Sequence, residues 1–308
     1  MRSLSFRRML PVWVLAGLIA VLLGLLLAGV IRRPTGPDVD LDILPDLPPL
    51  VDEGEVLLAV GDIGSCDGLA DDAVADLAAD LEGEIALLGD IVYPNGSASN
   101  FANCFEPAWG DLHDRLHPIP GNHEYETAGA SAYFDYFGDA AGEPGEGWYA
   151  WELGSWQIVA LNTNCSRVDC DAQRAWLADE LVASDADCTL AMLHHPRWSS
   201  GRHGSGGPGA GLWDELVSGG VDVTLSGHDH SYERLNAEGI TAFVVGTGGR
   251  SLYPLERPAL DREEVQTEAR TADAYGLLHL TLTDGAYAWT FLGIGASEFR
   301  DSGSGECR

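Results

Sequence analysis

The stretch "VDVTLSGHDHSYERL", residues Val221 to Leu235, decides the fold. Its apolar run ends at Leu225, and two histidines, His228 and His230, follow directly after the glycine. A short apolar run with β-branched residues, bounded by glycine, is typical of a buried strand. The stretch therefore predicts a strand that presents two imidazoles at its carboxyl end.

The same arrangement occurs four more times along the chain, after the runs "VLLAV", "EIALL", "RLHPIP" and "CTLAML". The polar residues that follow these runs are Asp62 in "GDIG", Asp90 and Tyr93 in "GDIVY", Asn122, His123 and Glu124 in "GNHE", and His194 and His195 in "HHP". Open α/β sheets carry their sites at the carboxyl ends of the strands. We therefore expect these side chains to meet, and the glycines before several of them allow the sharp turns required.

Helical patterns separate the predicted strands: "LADDAVADLAADL", "SAYFDYF", "DAQRAWLADELVA" and "GLWDELVSG". This alternation predicts an α/β fold with mostly parallel pairing. The later runs "GITAFVVG", "GLLHLTLTDG" and "AYAWTFLG" are joined by short turns and predict antiparallel strands, with a hairpin at "DG". His279, which alternates with leucines, is expected to face outward. The glycine-rich segment Ser199 to Gly211 is expected to be a mobile loop.

The polar residues after the strands include carboxylates, imidazoles, an amide and a phenol. This donor set suits metals such as iron, manganese and zinc. The candidate ligands are Asp62, Asp90, Tyr93, Asn122, His194, His228 and His230. Seven ligands exceed one coordination sphere, so a two-metal centre with one shared carboxylate is expected.

The blocks "GDIG", "GDIVY", "GNHE", "HHP" and "GHDHSYER", in this order, resemble the five blocks of the calcineurin-like metallophosphoesterases. The last block and the position of Tyr93 resemble the purple acid phosphatase branch. The resemblance extends from about Val56 to Leu292. It implies a catalytic domain over residues 55–295, built as a four-layer α-β-β-α sandwich of two mixed sheets flanked by helices, and a C-terminal tail over residues 296–308.

The resemblance also implies how the ligands are shared between two metal ions. One metal would be held by Asp62, Asp90, Tyr93 and His230, and the other by Asp90, Asn122, His194 and His228. Asp90 would bridge the two ions, and the ligand two places before the proline of "HHP" is His194. The implied metals are Fe³⁺ together with Fe²⁺, Zn²⁺ or Mn²⁺.

Four further residues are implied to act near the metals. His123 corresponds to the histidine that meets the leaving group or the phosphate, and Glu124 is expected to orient it. His195 is expected either to contact the substrate or to pack. His203, in the glycine-rich segment, falls near the place where purple acid phosphatases carry further substrate histidines.

The implied function is hydrolysis of small-molecule phosphate monoesters by a hydroxide that bridges the two metals. A phosphodiesterase or nucleotide hydrolase of the same fold is the alternative. A third possibility is a non-catalytic acidic binding domain at the cell surface. Protein serine/threonine phosphatases are disfavoured, because the second block reads "GDIVYPNG" and lacks the arginine that those enzymes carry there.

Pro11 to Ile31 form a run of 21 uncharged residues, close to the roughly 20 that a helix needs to cross a bilayer. We interpret residues 1–33 as an uncleaved transmembrane anchor and residues 34–54 as a linker rich in proline and aspartate. Arginines before the run favour a cytoplasmic N-terminus. The prediction is a single-pass protein of the cell membrane with an extracytoplasmic body, the alternative being secretion after signal cleavage.

The charge and the cysteines bear on the partners and on the location of the protein. Lysine is absent and the net charge is −31, so no nucleic-acid binding is expected. The cysteines agree with an external location. The six cysteines form no C-x-x-C pair and are expected to form disulfides. Cys165 with Cys170 is the simplest local pair, and Cys66 with Cys104 would brace two loops of the site. The sequence leaves the other connectivities and the oligomeric state open.

Overall fold

The structure is a computed structural model of the 308-residue chain, and it describes residues 54–66, 70–295 and 298–308. The predicted anchor, residues 1–33, lies outside the described residues, as does the linker up to residue 53. Within the described ranges, no helix has both the length and the apolar character needed to cross a membrane.

The strands and helices follow the predicted alternation closely. The strands are β1 (Glu55–Val60), β2 (Glu84–Leu87), β3 (Leu116–Pro118), β4 (Tyr149–Leu153), β5 (Trp156–Leu161), β6 (Cys188–Leu193), β7 (Val223–Ser226), β8 (Tyr232–Ala237), β9 (Ile240–Val245), β10 (Val265–Thr271), β11 (Tyr275–Thr283), β12 (Ala286–Ile294) and β13 (Ser302–Glu306). The helices are α1 (Ala70–Ala79), α2 (Ala98–Asn100), α3 (Glu106–Trp109), α4 (Ser131–Phe137), α5 (Cys170–Ala183) and α6 (Ala210–Ser218), and a π-helical turn, Phe101–Phe105, joins α2 to α3.

Two mixed sheets form the centre of the fold. The first sheet has the order β13-β12-β11-β1-β2-β3, in which β1, β2 and β3 are parallel and the rest antiparallel. The second has the order β10-β8-β9-β7-β6-β5-β4, with a parallel centre of β5, β6, β7 and β9. Antiparallel strands lie on one side of the first sheet and at both ends of the second.

Each sheet is buried on both faces. The inner faces pack on each other through residues such as Leu57, Leu88 and Met192. Helix α1 covers the outer face of the first sheet with Val74 and Leu77. Helices α5 and α6 cover the outer face of the second sheet, where Leu177, Leu212 and Trp213 are buried. The predicted α/β architecture of two mixed sheets flanked by helices is therefore confirmed.

The C-terminal segment joins this sandwich. Residues 296–308, which the sequence set apart as a tail, contain β13, and this strand pairs with β12 at the edge of the first sheet. A disulfide between Cys188 and Cys307 ties the segment to β6 in the other sheet. The described tail residues are therefore held by both sheets.

The remaining cysteines pair as the sequence favoured. Cys66 is bonded to Cys104, and Cys165 to Cys170. The first bond links the loop after β1 to the helical segment that follows the second block. It therefore braces two of the loops that carry predicted site residues.

Candidate metal centre

The structure brings the seven predicted ligands together at the carboxyl ends of five strands. Asp62 follows β1, Asp90 and Tyr93 follow β2, and Asn122 follows β3. His194 follows β6, and the "GHDH" histidines follow β7. We call Asp62, Tyr93 and His230 the tyrosine side of the cluster, and Asn122, His194 and His228 the histidine side.

On the tyrosine side, one hydroxyl faces three acceptors. Tyr93 Oη lies 2.8 Å from Asp62 Oδ1, 3.2 Å from Asp90 Oδ2 and 3.1 Å from His230 Nε2. His230 Nδ1 lies 2.7 Å from the Ser251 carbonyl, which only accepts, so the neutral ring has its lone pair at Nε2. A hydroxyl has one proton and satisfies one such acceptor. The excess of acceptors in a buried place is what a cation site requires.

The histidine side presents its ring nitrogen in the same way. His194 Nδ1 lies 2.8 Å from the Leu88 carbonyl oxygen, so in the neutral ring Nε2 is the free acceptor. His194 Nε2 lies 3.2 Å from Asn122 Oδ1 and 3.4 Å from Asp90 Oδ2. The His194 and His228 rings are 5.1 Å apart. Metal-binding histidines commonly donate their other ring N–H to a backbone carbonyl, as His194 and His230 do here.

Asp90 lies between the two sides. Its Oδ2 atom is within 3.2 Å of Tyr93 Oη and 3.4 Å of His194 Nε2. The residue is 2% exposed, and its ion-pair partners among the described residues are His123 and His194. One carboxylate oxygen therefore reaches both groups of candidate ligands.

The backbone is strained at three candidate ligands. Asp62, Asp90 and His228 have φ angles of 58°, 48° and 70°, in the left-handed region that residues other than glycine rarely adopt. Such conformations cost on the order of 1–3 kcal/mol each and cluster at functional sites. The sequence predicted sharp turns at the preceding glycines, but at Asp62 and His228 the positive φ lies on the ligand itself. The Asp62 carboxylate supports this geometry by accepting the His228 N–H at 2.7 Å.

Glu124 does not orient His123 as expected. Its buried carboxylate accepts backbone N–H groups of Asp90, Ile91 and Val92 at 2.9–3.3 Å and of Gly121 at 2.8 Å. Burial and the nearby Asp90 raise the pKa of Glu124 to about 7, although these N–H groups oppose the shift. Glu124 thus clamps together the two loops that carry Asp90 and Asn122.

The ring of His123 is oriented by a backbone carbonyl instead. His123 Nδ1 lies 2.6 Å from the Pro94 oxygen, so Nδ1 carries a proton and Nε2 is turned toward the site. Nε2 lies 3.8 Å from Asp90 Oδ2, and the side chain is 32% exposed. His123 is therefore accessible from solvent while contacting the shared carboxylate.

His195 and His203 lie beside the histidine side. His195 is 8% exposed, its Nδ1 lies 2.7 Å from Thr163 Oγ1, and its ring is 4.5 Å from that of His228. The ring of His203 lies 4.2 Å from that of His228. The structure therefore places both residues at the site, His195 packed within it and His203 exposed at its rim.

The pKa values reflect this crowding. Burial opposes ionisation of Asp90, but the neighbouring His194 outweighs it and lowers the pKa of Asp90 below its ordinary value. In the same pair, burial disfavours protonated His194, yet Asp90 raises its pKa to about 9. Burial, and then Asp62 and Asp90, raise the pKa of Tyr93 well above 10. A bound cation would favour the phenolate and would take the place of the His194 proton.

Two further histidines of this cluster, His195 and His228, are held neutral. Burial, followed by repulsion from His194, lowers the pKa of His195 to about 3. The same two causes lower the pKa of His228. Neutral imidazoles are the form that binds metals.

Sequence reasoning missed two residues on the tyrosine side. The Arg250 guanidinium lies 4.9 Å from the centre of the Tyr93 ring, and Tyr253 stacks on His230 with ring centres 4.0 Å apart. Both belong to the loop after β9, which carries no pattern that distinguishes them from ordinary loop residues. Only their contacts with Tyr93 and His230 assign them to the site.

The residues present fit a metal centre. Asp62, Asp90 and His194 have ligand atoms within 4.8 Å of one another, and so do His194, His195 and His228. A third group, Cys188, Asp222 and Cys307, is unsuitable because its two cysteines form a disulfide. Oxygen and imidazole donors of this kind suit iron, manganese and zinc.

Comparison with known proteins agrees with this geometry. The profile of the calcineurin-like phosphoesterase family matches residues 56–232, more than half of the chain. The chain is 29% identical over 188 residues to acid phosphatase type 7 of Homo sapiens, covering 53% of this chain and 40% of that protein. It is 25% identical over 239 residues to purple acid phosphatase 15 of Arabidopsis thaliana, covering 63% and 44%. The chain therefore spans less than half the length of these two relatives.

A solved structure shows the same fold. The purple acid phosphatase from yellow lupin seeds superposes with a TM-score of 0.66 at 18% identity, over 82% of this chain and 53% of that one. The ordered blocks, the family match and these relatives agree with one another. The chain belongs to the calcineurin-like phosphoesterase family, in its purple acid phosphatase-like branch.

Proposed function

We propose that this protein is a metal-dependent phosphatase that hydrolyses phosphate monoesters of small molecules outside the cell while tethered to the membrane. The observation that carries the proposal is the position of Asp90, whose Oδ2 atom contacts both sides of the cluster. A carboxylate so placed is suited to bridge two metal ions. The similarity to proteins named acid phosphatases supports monoesters as the proposed substrates.

The two sides would hold two different ions. The tyrosine side, with Asp90, suits Fe³⁺ because it combines carboxylates with a phenol, whereas the histidine side, with the same Asp90, suits Fe²⁺, Zn²⁺ or Mn²⁺. Two such ions would supply activated water near neutral pH and would neutralise the phosphoryl oxygens. The chain itself holds the donors in place through the clamp of Glu124 and the backbone carbonyls behind His194 and His230.

His123 is the residue placed to give a proton to the leaving group. Its Nδ1–H is already used by the Pro94 carbonyl, so the proton available for transfer is the one at Nε2 of the protonated ring. Nε2 points toward Asp90, and 3.8 Å separate Nε2 from Asp90 Oδ2. A general acid of this kind contributes roughly 10²–10⁴-fold to the rate.

The test is metal content, visible absorption and hydrolysis, measured on one sample. An aryl phosphate and a bis-aryl phosphodiester are assayed with the wild type, with Asp90→Asn and with Asp222→Asn, a control that changes a buried carboxylate in another part of the sheet. We expect two metals per chain and monoester hydrolysis that depends on Asp90 and not on Asp222. Preference for the diester would favour the phosphodiesterase, and bound metal without turnover would favour a binding domain.

Membrane tethering is tested separately on the full chain. The basis for it is the uncharged run from Pro11 to Ile31. We expect the protein to stay with membranes after a high-salt and alkaline wash, and a variant without residues 1–33 to be released. Recovery of a soluble protein whose N-terminus lies after this run would support secretion instead.

A further inference from the structure

Asp229 lies between two candidate ligands, His228 and His230, in the sequence. Its side chain accepts hydrogen bonds from a different loop. The residue is 0% exposed. Its carboxylate accepts from Ser199 Oγ at 2.6 Å, from the His203 N–H at 2.7 Å and from the Gly204 N–H at 3.2 Å. All three donors belong to the glycine-rich segment Ser199 to Gly211.

A loop with so many glycines has many conformations available, so holding it in one arrangement needs specific contacts. Asp229 provides three of them, and a second buried carboxylate, Glu233, accepts from both N and Oγ of Ser200 at 2.7 Å. The loop also approaches Asp229 closely: a Cβ on Gly201 would lie 2.5 Å from the Asp229 carboxyl carbon. The segment expected to be mobile is therefore tied down at the end that faces the site.

The anchored part of the loop presents two side chains. Gly201 and Gly204 are buried, while Arg202 and His203 between them are exposed. The His203 ring lies 4.2 Å from the His228 ring, on the histidine side. The Arg202 guanidinium lies 4.8 Å from the centre of the Tyr253 ring, which stacks on His230 of the tyrosine side.

We propose that Asp229 is a positioning residue, which fixes the glycine-rich loop so that Arg202 and His203 receive the phosphate group above the two sides of the cluster. The proposal rests on the proposed phosphatase function. A guanidinium and an imidazole are suitable donors for a phosphate oxygen. Donors held in place before binding cost less conformational entropy than donors on a free loop, so the anchor strengthens substrate binding.

The first variant is Asp229→Asn, whose amide has a similar shape but offers one oxygen acceptor to the three loop donors. A hydrogen bond to a charged group contributes enough that KM for the aryl phosphate should rise at least about tenfold. The fall in kcat should be smaller. Trypsin should also cut after Arg202 faster than in the wild type, because the loop is released.

A double-mutant cycle separates positioning from a general structural effect. If Asp229 acts through the loop side chains, Asp229→Asn should add less than about twofold to KM in a background that already carries Arg202→Ala and His203→Ala. An undiminished effect of Asp229→Asn in that background would overturn the proposal. So would an unchanged KM in the single variant.

Two further variants test whether the change in KM comes from a disturbance of the metal ligands. Ser199→Ala removes one donor from the loop side without changing the "GHDH" turn, so it should raise KM in the same direction with metal content intact. Asp222→Asn is the matched control, because Asp222 is also buried and accepts two backbone N–H groups, from Thr189 and Arg308, before β7. We expect no change in KM for this control.

Inorganic phosphate binding distinguishes failure of this inference from failure of the proposed function. If the wild type hydrolyses nothing, but binds inorganic phosphate and Ser199→Ala weakens that binding, the inference stands and the phosphatase proposal fails. If the wild type hydrolyses the aryl phosphate, but Asp229→Asn and Ser199→Ala leave KM and phosphate binding unchanged, the inference alone is overturned. Absence of both hydrolysis and phosphate binding would overturn both.

Discussion

The two sides of the cluster meet at Asp90 but differ in chemistry. The tyrosine side combines a carboxylate, a phenol and one imidazole, with Arg250 and Tyr253 packed around them. The histidine side consists of an amide and imidazoles, and burial keeps neighbouring His195 neutral by lowering its pKa to about 3. On the proposed function, the side with more anionic donors would hold the more highly charged cation, and the two sides would therefore differ in the ion they bind.

The largest effect is expected from a change of Asp90, the carboxylate that both sides share. Partners outside the first coordination shell commonly contribute 10–100-fold to metal affinity or activity, so loss of the bridge in Asp90→Asn should lower kcat/KM by at least about 100-fold. The content of both metals, measured by elemental analysis, should also fall. Full occupancy with wild-type turnover in this variant would contradict a bridging role.

The next effect concerns the histidine side alone. Asn122→Ala removes the amide oxygen that lies 3.2 Å from His194 Nε2. We expect one metal per chain to be lost, the divalent one, with a fall in kcat/KM of roughly 10–100-fold. Added Zn²⁺ or Mn²⁺ should partly restore activity, and loss of Fe³⁺ instead of the divalent ion would reverse our assignment of the two sides.

On the tyrosine side, Tyr93→Phe removes the phenol and leaves the ring. A phenolate of Tyr93 bound to Fe³⁺ would give a visible absorption band, and we expect Tyr93→Phe to abolish it while the divalent ion stays bound. We expect kcat/KM to fall by about tenfold, at the low end of the range for a group that tunes a metal site. The spectrum and the metal analysis are the measurements. An unchanged band would remove Tyr93 from the coordination sphere.

The smallest effect is expected from the surroundings of the tyrosine side. Half-buried Arg250 contacts the ring of buried Tyr93, and a cation–π contact contributes at least about 0.5–1 kcal/mol. Arg250→Gln should therefore shift the visible band and raise KM by about two- to fivefold. Arg174→Gln on α5, which removes an exposed ion pair with Glu215, is the matched control and should change neither.

The sequence predicted the strands and helices that follow an apolar period, and it missed those that do not. β13, "SGSGE", has no apolar residue, and nothing local marks it as a strand. Its pairing depends on aromatic side chains of β12: a Cβ on Gly303 would lie 2.5 Å from the Trp289 ring, and one on Gly305 2.4 Å from the Tyr287 ring. Glycine is required there because neighbouring strands place rings against the backbone.

The orientation of His279 was predicted incorrectly. It is 5% exposed, because it lies on the face of β11 that also bears Leu277, and α1 packs on that face. Burial lowers its pKa. A strand in which a polar residue alternates with leucines is typical of a strand with one exposed face. Only the position of the covering helix shows that this face of β11 is buried.

The sequence by itself determined the family, the alternation of strands and helices and the set of candidate ligands. Each of these depends on residues close together in the chain: an apolar run, a glycine, and the polar side chain that follows. Tertiary structure alone decided the surroundings of those ligands, namely the clamp of Glu124, the cation of Arg250 and the anchoring of the glycine-rich loop by Asp229. Most of these contacts join residues at least 25 positions apart, as Asp229 and Gly204 are, and 157 positions separate Arg250 from Tyr93. No local pattern encodes a contact between residues so far apart, because it forms only when the strands have packed into sheets.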